Sequence, residues 1–208
     1  EQLTANLLLQ GYAMGIFPMA DSRTDTELHW IDPKLRGVLP LDTFHIPRSL
    51  KKTLKRGTFE MRVDTAFAQV IGLCAESKET REDTWINDTI IELFTELHER
   101  GFAHSVESWF DGVLVGGLYG LALGRAFFGE SMFSRATDAS KVALVDLVAR
   151  LKRGGFTLLD TQFVTEHLTQ FGVTEIPRRD YHKRLQRAIA EPARFVTEAV
   201  DWEEALMG

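Results

Sequence analysis

The stretch Ala103-His-Ser-Val-Glu-Ser-Trp-Phe-Asp-Gly-Val-Leu-Val-Gly-Gly-Leu-Tyr-Gly-Leu-Ala122, followed closely by Ala126-Phe-Phe-Gly-Glu-Ser-Met-Phe133, decides the fold class. Two alternating runs flank Asp111-Gly112, and Asp-Gly between such runs is the strongest local signal for a hairpin. The third run extends the hairpin into a meander. Beyond it, Val142, Leu144, Val145, Val148 and Leu151 mark one face of a helix over Ser140 to Arg153, with Asp138 as N-cap and Gly154-Gly155 as the stop. Phe156 to Asp160 then reads as a strand. Strand, helix, strand across 126–160 is a βαβ-like unit attached to an antiparallel meander, so the class is α+β rather than a doubly wound sheet.

Working outward, Asn87 caps a helix through Glu99, with Ile90, Ile91, Phe94 and Leu97 on one face and Gly101 as terminator. A strand near Phe59 and a helix over Thr65 to Glu76 precede it. The first 62 residues are turn-rich. They hold a helix from Thr4 that breaks at Gly15-Ile-Phe-Pro, short strands near Leu28 to Ile31 and Gly37 to Leu39, and a helix Arg48 to Arg56 opened by Pro47 and ended by Gly57. This divides the chain into a small N-terminal domain, 1–62, and a larger one, 63–208. Near the end, Pro177 opens a basic helix and the tail from Glu191 is acidic.

The chain has 208 residues, 44% hydrophobic and 26% charged, enough to bury a core without staples. The single cysteine, Cys74, lies in an apolar stretch and reads as a buried small hydrophobe in a reducing compartment. No apolar run reaches the length of about 20 residues that a membrane span needs, and no secretory signal opens the sequence, so a cytoplasmic setting is expected. The net charge of −6 argues against a general nucleic-acid coat. The charge is placed unevenly, however. Arg48, Lys51, Lys52, Lys55, Arg56 and Arg62 face only Glu60 between residues 45 and 62, the arrangement that selective phosphate contact requires. Arg178, Arg179, Lys183, Arg184 and Arg187 form a second cluster.

Metal binding has little support, because the six histidines show no ligand spacing. His104 reads as a hydrogen-bonded structural residue. Gly129-Glu-Ser-Met-Phe133 lacks the fifth-position glycine of a nucleophile elbow, and the glycines at 116, 117 and 120 lie inside a strand rather than before a helix. Neither a serine hydrolase nor a phosphate cradle follows. Glu130 stands out as an acid in a largely apolar strand, to be outward-facing or committed to a cation. Asp160 ends the next strand. If the strand stays extended, Gln162 shares its face and Thr161 points away.

These segments together resemble the bacterial leucyl/phenylalanyl-tRNA-protein transferase family. The motifs are Tyr12-Ala-Met-Gly-Ile-Phe-Pro-Met, Trp30-Ile-Asp-Pro, Thr84-Trp-Ile, His104-Ser-Val-Glu-Ser-Trp, Leu114-Val-Gly-Gly-Leu-Tyr-Gly, Gly129-Glu-Ser-Met-Phe-Ser, Ala139-Ser-Lys, Leu159-Asp-Thr-Gln and Ile176-Pro-Arg-Arg. The resemblance implies a small N-terminal domain followed by a Gcn5-related acetyltransferase-like catalytic domain with a mixed, mostly antiparallel sheet. It implies transfer of Leu, Phe or Met from aminoacyl-tRNA to proteins beginning with Arg or Lys, creating a degradation signal, with no cofactor and no metal. Catalytic roles carry over to Glu130, Asp160 and Gln162, the donor side-chain pocket to Leu118, Met132 and Leu147, and contact with the terminal adenosine to Trp85. Met19 stands where many relatives carry Trp, and Thr161 where some carry Cys.

The expected chemistry has Gln162 accepting a hydrogen bond from the attacking amine, polarised by Asp160. Two other readings compete: an acetyl-CoA-dependent N-acetyltransferase of the same fold class, and a non-catalytic tRNA-binding or degradation-adaptor protein. The first meets a difficulty in Ser134-Arg-Ala-Thr-Asp-Ala-Ser, which has no glycine before the central helix and an acid where a pyrophosphate would sit.

Overall fold

Asp111 and Gly112 both take positive φ, 49° and 76°, as the tightest hairpin turns require. The computed structural model describes residues 2–20, 27–79 and 86–207, apart from the side chains of 77–79. Numbered in chain order, its strands β5 (Ala103–Phe110) and β6 (Val113–Leu123) form that hairpin, and β7 (Ala126–Ser134) completes the meander. Helix α5 (Ala139–Gly154) crosses over to β8 (Leu158–Gln162), which lies parallel to β7. Strands β4 (Glu60–Val63), β3 (Leu35–Val38) and β9 (Thr174–Pro177) extend the sheet to seven, in the order β4-β5-β6-β7-β8-β3-β9. Only the β7/β8 pairing is parallel, so the mixed, mostly antiparallel α+β sheet agrees with the sequence.

Ahead of it, α1 (Ala5–Ala13) and a separate two-stranded ribbon, β1 (Phe17–Ala20) with β2 (Leu28–Ile31), make the small N-terminal unit. Residue 62 lies inside β4, and β3 on its N-terminal side is hydrogen-bonded between β8 and β9.

Local chemistry sets the helix ends. Thr4 and Asn87 accept from Leu7 N–H and Ile90 N–H, capping α1 and α4 (Asp88–Glu99). Gly57, at φ 63°, ends α2 (Arg48–Arg56). Asp138 holds the expected N-cap position of α5, its carbonyl oxygen accepting from Val142 N–H at 2.9 Å, but at φ 66° its side chain makes no capping bond and lies 3.6 Å from Lys141 Nζ, accepting from Thr53 Oγ1 at 3.4 Å. The start of α3 (Phe67–Glu79) is held from another strand. Glu107, fully buried, accepts from Thr65 and Ala66 N–H and from the Thr65, Ser105 and Trp109 side chains. His104 bonds Asp64 at 2.7 Å and stacks on Phe195, which makes His104-Ser-Val-Glu-Ser-Trp a structural anchor.

The sheet divides two cores because adjacent strand residues face opposite ways. Phe128 joins Leu8, Tyr12, Val70 and Phe94, and with them Tyr181 and Leu185 of α7 (Arg178–Ile189). Phe127 joins Leu50, Val145, Leu147, Leu159 and Phe171. Helix α5 is buried on every side rather than along one stripe, for α8 (Trp202–Met207) covers the face the sequence leaves to water. The sequence reading also omits β1, β9 and α6 (Glu166–Thr169), each four residues long. Pro18 sits in β1 without penalty because the ribbon pairs on one side only.

Candidate active site

Strands β7 and β8 stay paired only from Ala126/Leu158 to Phe128/Asp160. Beyond that point they part around a cavity of about 640 Å³, lined by Gly129 to Ser134 on one side and Leu159, Thr161 and α6 on the other. Two irregularities sit at the fork. On β7, Tyr119 pairs with Ser131 and Gly120 with Gly129, leaving Glu130 without an opposite number. On β8, Gly37 pairs with Gln162 and Val38 with Asp160, leaving Thr161 over. Bulges of this kind re-aim side chains. Here they bring Glu130 and Gln162 together, with the Gln162 Nε2 donating to Glu130 at 3.2 and 3.3 Å.

Gln162 is not extended. Its φ is 66°, and Phe163 N–H donates to Thr161 carbonyl oxygen at 2.7 Å, which closes a γ-turn of the strained positive-φ kind. A Cβ on Gly37 would lie 2.5 Å from the Phe163 carbonyl carbon, so the bare glycine lets this turn settle on β3. Asp160 Oδ1 accepts from Gln162 N–H at 2.7 Å. The sequence reading has Asp160 acting on the Gln162 carboxamide; the structure shows it holding the backbone amide, while the carboxamide turns to Glu130.

Sequence reasoning misses the groups that surround Asp160. Arg36, 1% exposed, donates through Nε and Nη2 to its two oxygens at 3.0 and 2.6 Å, and Tyr181 Oη donates to Oδ2 at 2.8 Å. Counting Gln162 N–H, the carboxylate has four donors, about its full acceptor capacity. Arg36 also donates to Gly15 carbonyl oxygen at 2.7 Å and stacks on the Phe17 and Tyr181 rings. Burial opposes its charge, but Asp160 more than offsets this and holds the guanidinium pKa above its usual value. Burial, with Asp160 next, pushes the Tyr181 hydroxyl far up. Burial and then Glu130 do the same for Tyr12 and Tyr119. A cation in the alternating Leu35-Arg-Gly-Val is the only sequence signal that could have found Arg36.

A sequence family described as leucyl/phenylalanyl-tRNA protein transferase matches residues 38–186, and its N-terminal domain matches 1–34. The chain belongs to this family. A leucyl/phenylalanyl-tRNA--protein transferase of Paramagnetospirillum magneticum is 63% identical over 99% of both chains. Proteins of that name from Phenylobacterium zucineum and Caulobacter vibrioides are 61% and 60% identical over 93% and 94% of this chain, and 88% and 90% of theirs. Among solved structures, FemX superposes with a TM-score of 0.52 at 12% identity over 86% of this chain and 70% of its own, a likeness of acetyltransferase-like fold.

Of the positions that resemblance to the transferase family singles out, Leu118, Met132 and Leu147 all line the cavity, with Leu144, Leu159 and Leu168. Met19, in β1, is half-buried against the core and is not among the lining residues. Trp85 lies outside the described residues. Arg48, Lys51, Lys52, Lys55 and Arg56 all project from α2, and Arg48, Lys52 and Arg56 line an open depression with Thr137 and Asp138. Arg62 stands apart in β4, bonded through two nitrogens to Glu60 and stacked on Trp109. Among the described residues no cluster of three or more potential metal ligands occurs, and no helix is long and apolar enough to cross a membrane.

Proposed function

We propose that this chain moves leucine, phenylalanine or methionine from aminoacyl-tRNA to the N-terminal amine of proteins beginning with Arg or Lys, marking them for degradation in the cytoplasm. The observation that carries the reading is the apolar cavity with Glu130 at its wall, bonded to Gln162 just behind it, in a chain of this family. The donor side chain enters between Leu118, Met132 and Leu147, and the ester carbonyl comes to rest beside the pair. Met19 and Trp85 are assigned to the terminal adenosine and the α2 cations to the tRNA backbone. Arg62 joins them with its charge already shared with Glu60.

The ester is activated, so the reaction calls for no cofactor. An α-amino group has an ordinary pKa of about 7.7 to 8.0, which leaves a usable neutral fraction near pH 7. Its nitrogen attacks the ester carbonyl carbon, the bond to the ribose oxygen breaks, and the proton lost by nitrogen is balanced by the one the ribose hydroxyl gains. Because Gln162 Nε2 donates to Glu130, its carbonyl oxygen is left to accept from the incoming amine. Glu130 attracts the amine or ammonium and aligns the donor. Asp160, its acceptor positions filled, serves as a positioning residue rather than a base.

The test mixes the protein with radiolabelled Leu-tRNA and an Arg-initiated peptide, with labelled acetyl-CoA as the parallel donor. Label reaching the peptide from Leu-tRNA and not from acetyl-CoA is expected. Transfer from acetyl-CoA alone would replace this reading with an N-acetyltransferase, and binding of Leu-tRNA without transfer would leave a tRNA-binding protein.

A further inference from the structure

Gln162 has the backbone conformation least expected of its side chain, and the groups that hold it come from distant parts of the chain. The γ-turn is bonded from Phe163 N–H to Thr161 carbonyl oxygen, but nothing in that bond fixes how the turn is set against β7. Among the described residues two side chains restrain it: Thr161, whose Oγ1 donates to the Phe163 carbonyl oxygen at 3.2 Å, and Asp160, whose Oδ1 accepts from Gln162 N–H and so holds the turn to the rest of the site. Asp160 is oriented in turn by the two-nitrogen fork of Arg36, since a bidentate guanidinium fixes both position and plane of a carboxylate. The third Arg36 nitrogen reaches Gly15 carbonyl oxygen, in the turn leading from α1 to β1, and the guanidinium stacks on Phe17, the first residue of β1.

We propose that Arg36 is a positioning residue for the transfer step. Acting through Asp160, it sets the Gln162 turn so that the carboxamide meets Glu130, and it ties that setting to the α1–β1 turn of the N-terminal unit. This rests on the reading of Glu130 and Gln162 as the groups that meet the amine. Arg36 touches no space lining the donor cavity, so its loss should spare donor binding and reach the rate. A displacement of about 1 Å at a reacting group can lower a rate about a hundredfold.

The experiment compares Arg36→Lys, which keeps the charge and loses the fork, with the double variant Arg36→Met/Asp160→Asn, which removes both buried charges and leaves neither stranded. Thermal stability, affinity for Leu-tRNA and single-turnover rate with an Arg-initiated peptide are measured for each. Gln162→Ala and Glu130→Gln serve as controls. The expected result is a folded protein with donor affinity within about threefold of the parent and a rate lowered about a hundredfold in both Arg36 variants. A merely structural arginine would give a folded fraction that reacts at the parental rate. Parental rates in either folded Arg36 variant, while both controls are slow, would overturn the proposal and leave the site reading intact. Parental rates in the controls would overturn the site reading itself.

Discussion

At the scale of single residues, the site is a charge pair and a strained turn set against each other. A left-handed backbone costs a residue with a Cβ about 1 to 2 kcal/mol, and glycine escapes that while losing about 0.5 to 1 kcal/mol in chain entropy. Gln162→Gly should therefore melt within a few degrees of the parent and transfer far more slowly, read by calorimetry and single-turnover kinetics on one preparation. A variant that melts early and reacts normally would make Gln162 a structural residue. Asp160→Asn is a different case. It strands the buried Arg36 cation, so a stability loss of about 3 to 5 kcal/mol in denaturant titration is expected together with slower transfer, well above the loss of a helix cap. An acid at a strand end drew attention to Asp160, but the roles given to it and to Gln162 came from the resemblance to the transferase family. Arg36 and Tyr181 were not legible, since partners 124 and 21 residues away leave no trace in local pattern.

At the scale of elements, α2 is anchored by Leu50, which is buried, while its cations face outward. Reversing Lys51, Lys52 and Lys55 to Glu should leave the melting temperature nearly unchanged and flatten the dependence of tRNA affinity on salt by roughly one slope unit per lost phosphate contact. An unaltered slope would reduce α2 to a solvated face. The cavity between β7, β8 and α5 makes a second claim. A methylene in an apolar pocket is worth only about 1 to 3 kcal/mol, so Leu, Phe and Met should all serve as donors. Efficient transfer of a charged residue from its tRNA would contradict that lining. His167 of α6, at the cavity wall, has its pKa lowered by burial and then by Lys141. The unfolded chain accordingly takes up this proton first, so stability should be flat above about pH 6.5 and fall as pH drops below it. His167→Gln should remove that part of the slope in melts across pH 5 to 8. The hairpin, the crossover and the helix ends were legible because turn and cap residues act within a few positions. Four-residue strands such as β1 and β9 were not, because they owe their conformation to neighbours distant in sequence.

At the scale of the molecule, the C-terminal segment is strapped to α5. Arg150 bonds Asp146 at 2.6 Å and donates to the carbonyl oxygens of Val196 and Glu198 at 3.0 and 2.7 Å. Burial pushes the Asp146 carboxyl up against the pull of Arg150. Arg150→Ala should cost about 3 to 5 kcal/mol and expose amides of residues 194–198 to hydrogen exchange, with transfer by the folded fraction unchanged. The position of β3 carries a consequence of another kind, concerning time. It emerges from the ribosome before both its partners, β8 and β9, which come more than a hundred residues later. At roughly 5 to 20 residues per second, the strand waits on the order of 10 s with its edges bare and Arg36 without its counter-charge. A chain not yet extended through β8 and α7 therefore has no set Gln162, so the chemistry arrives only after those elements have been made.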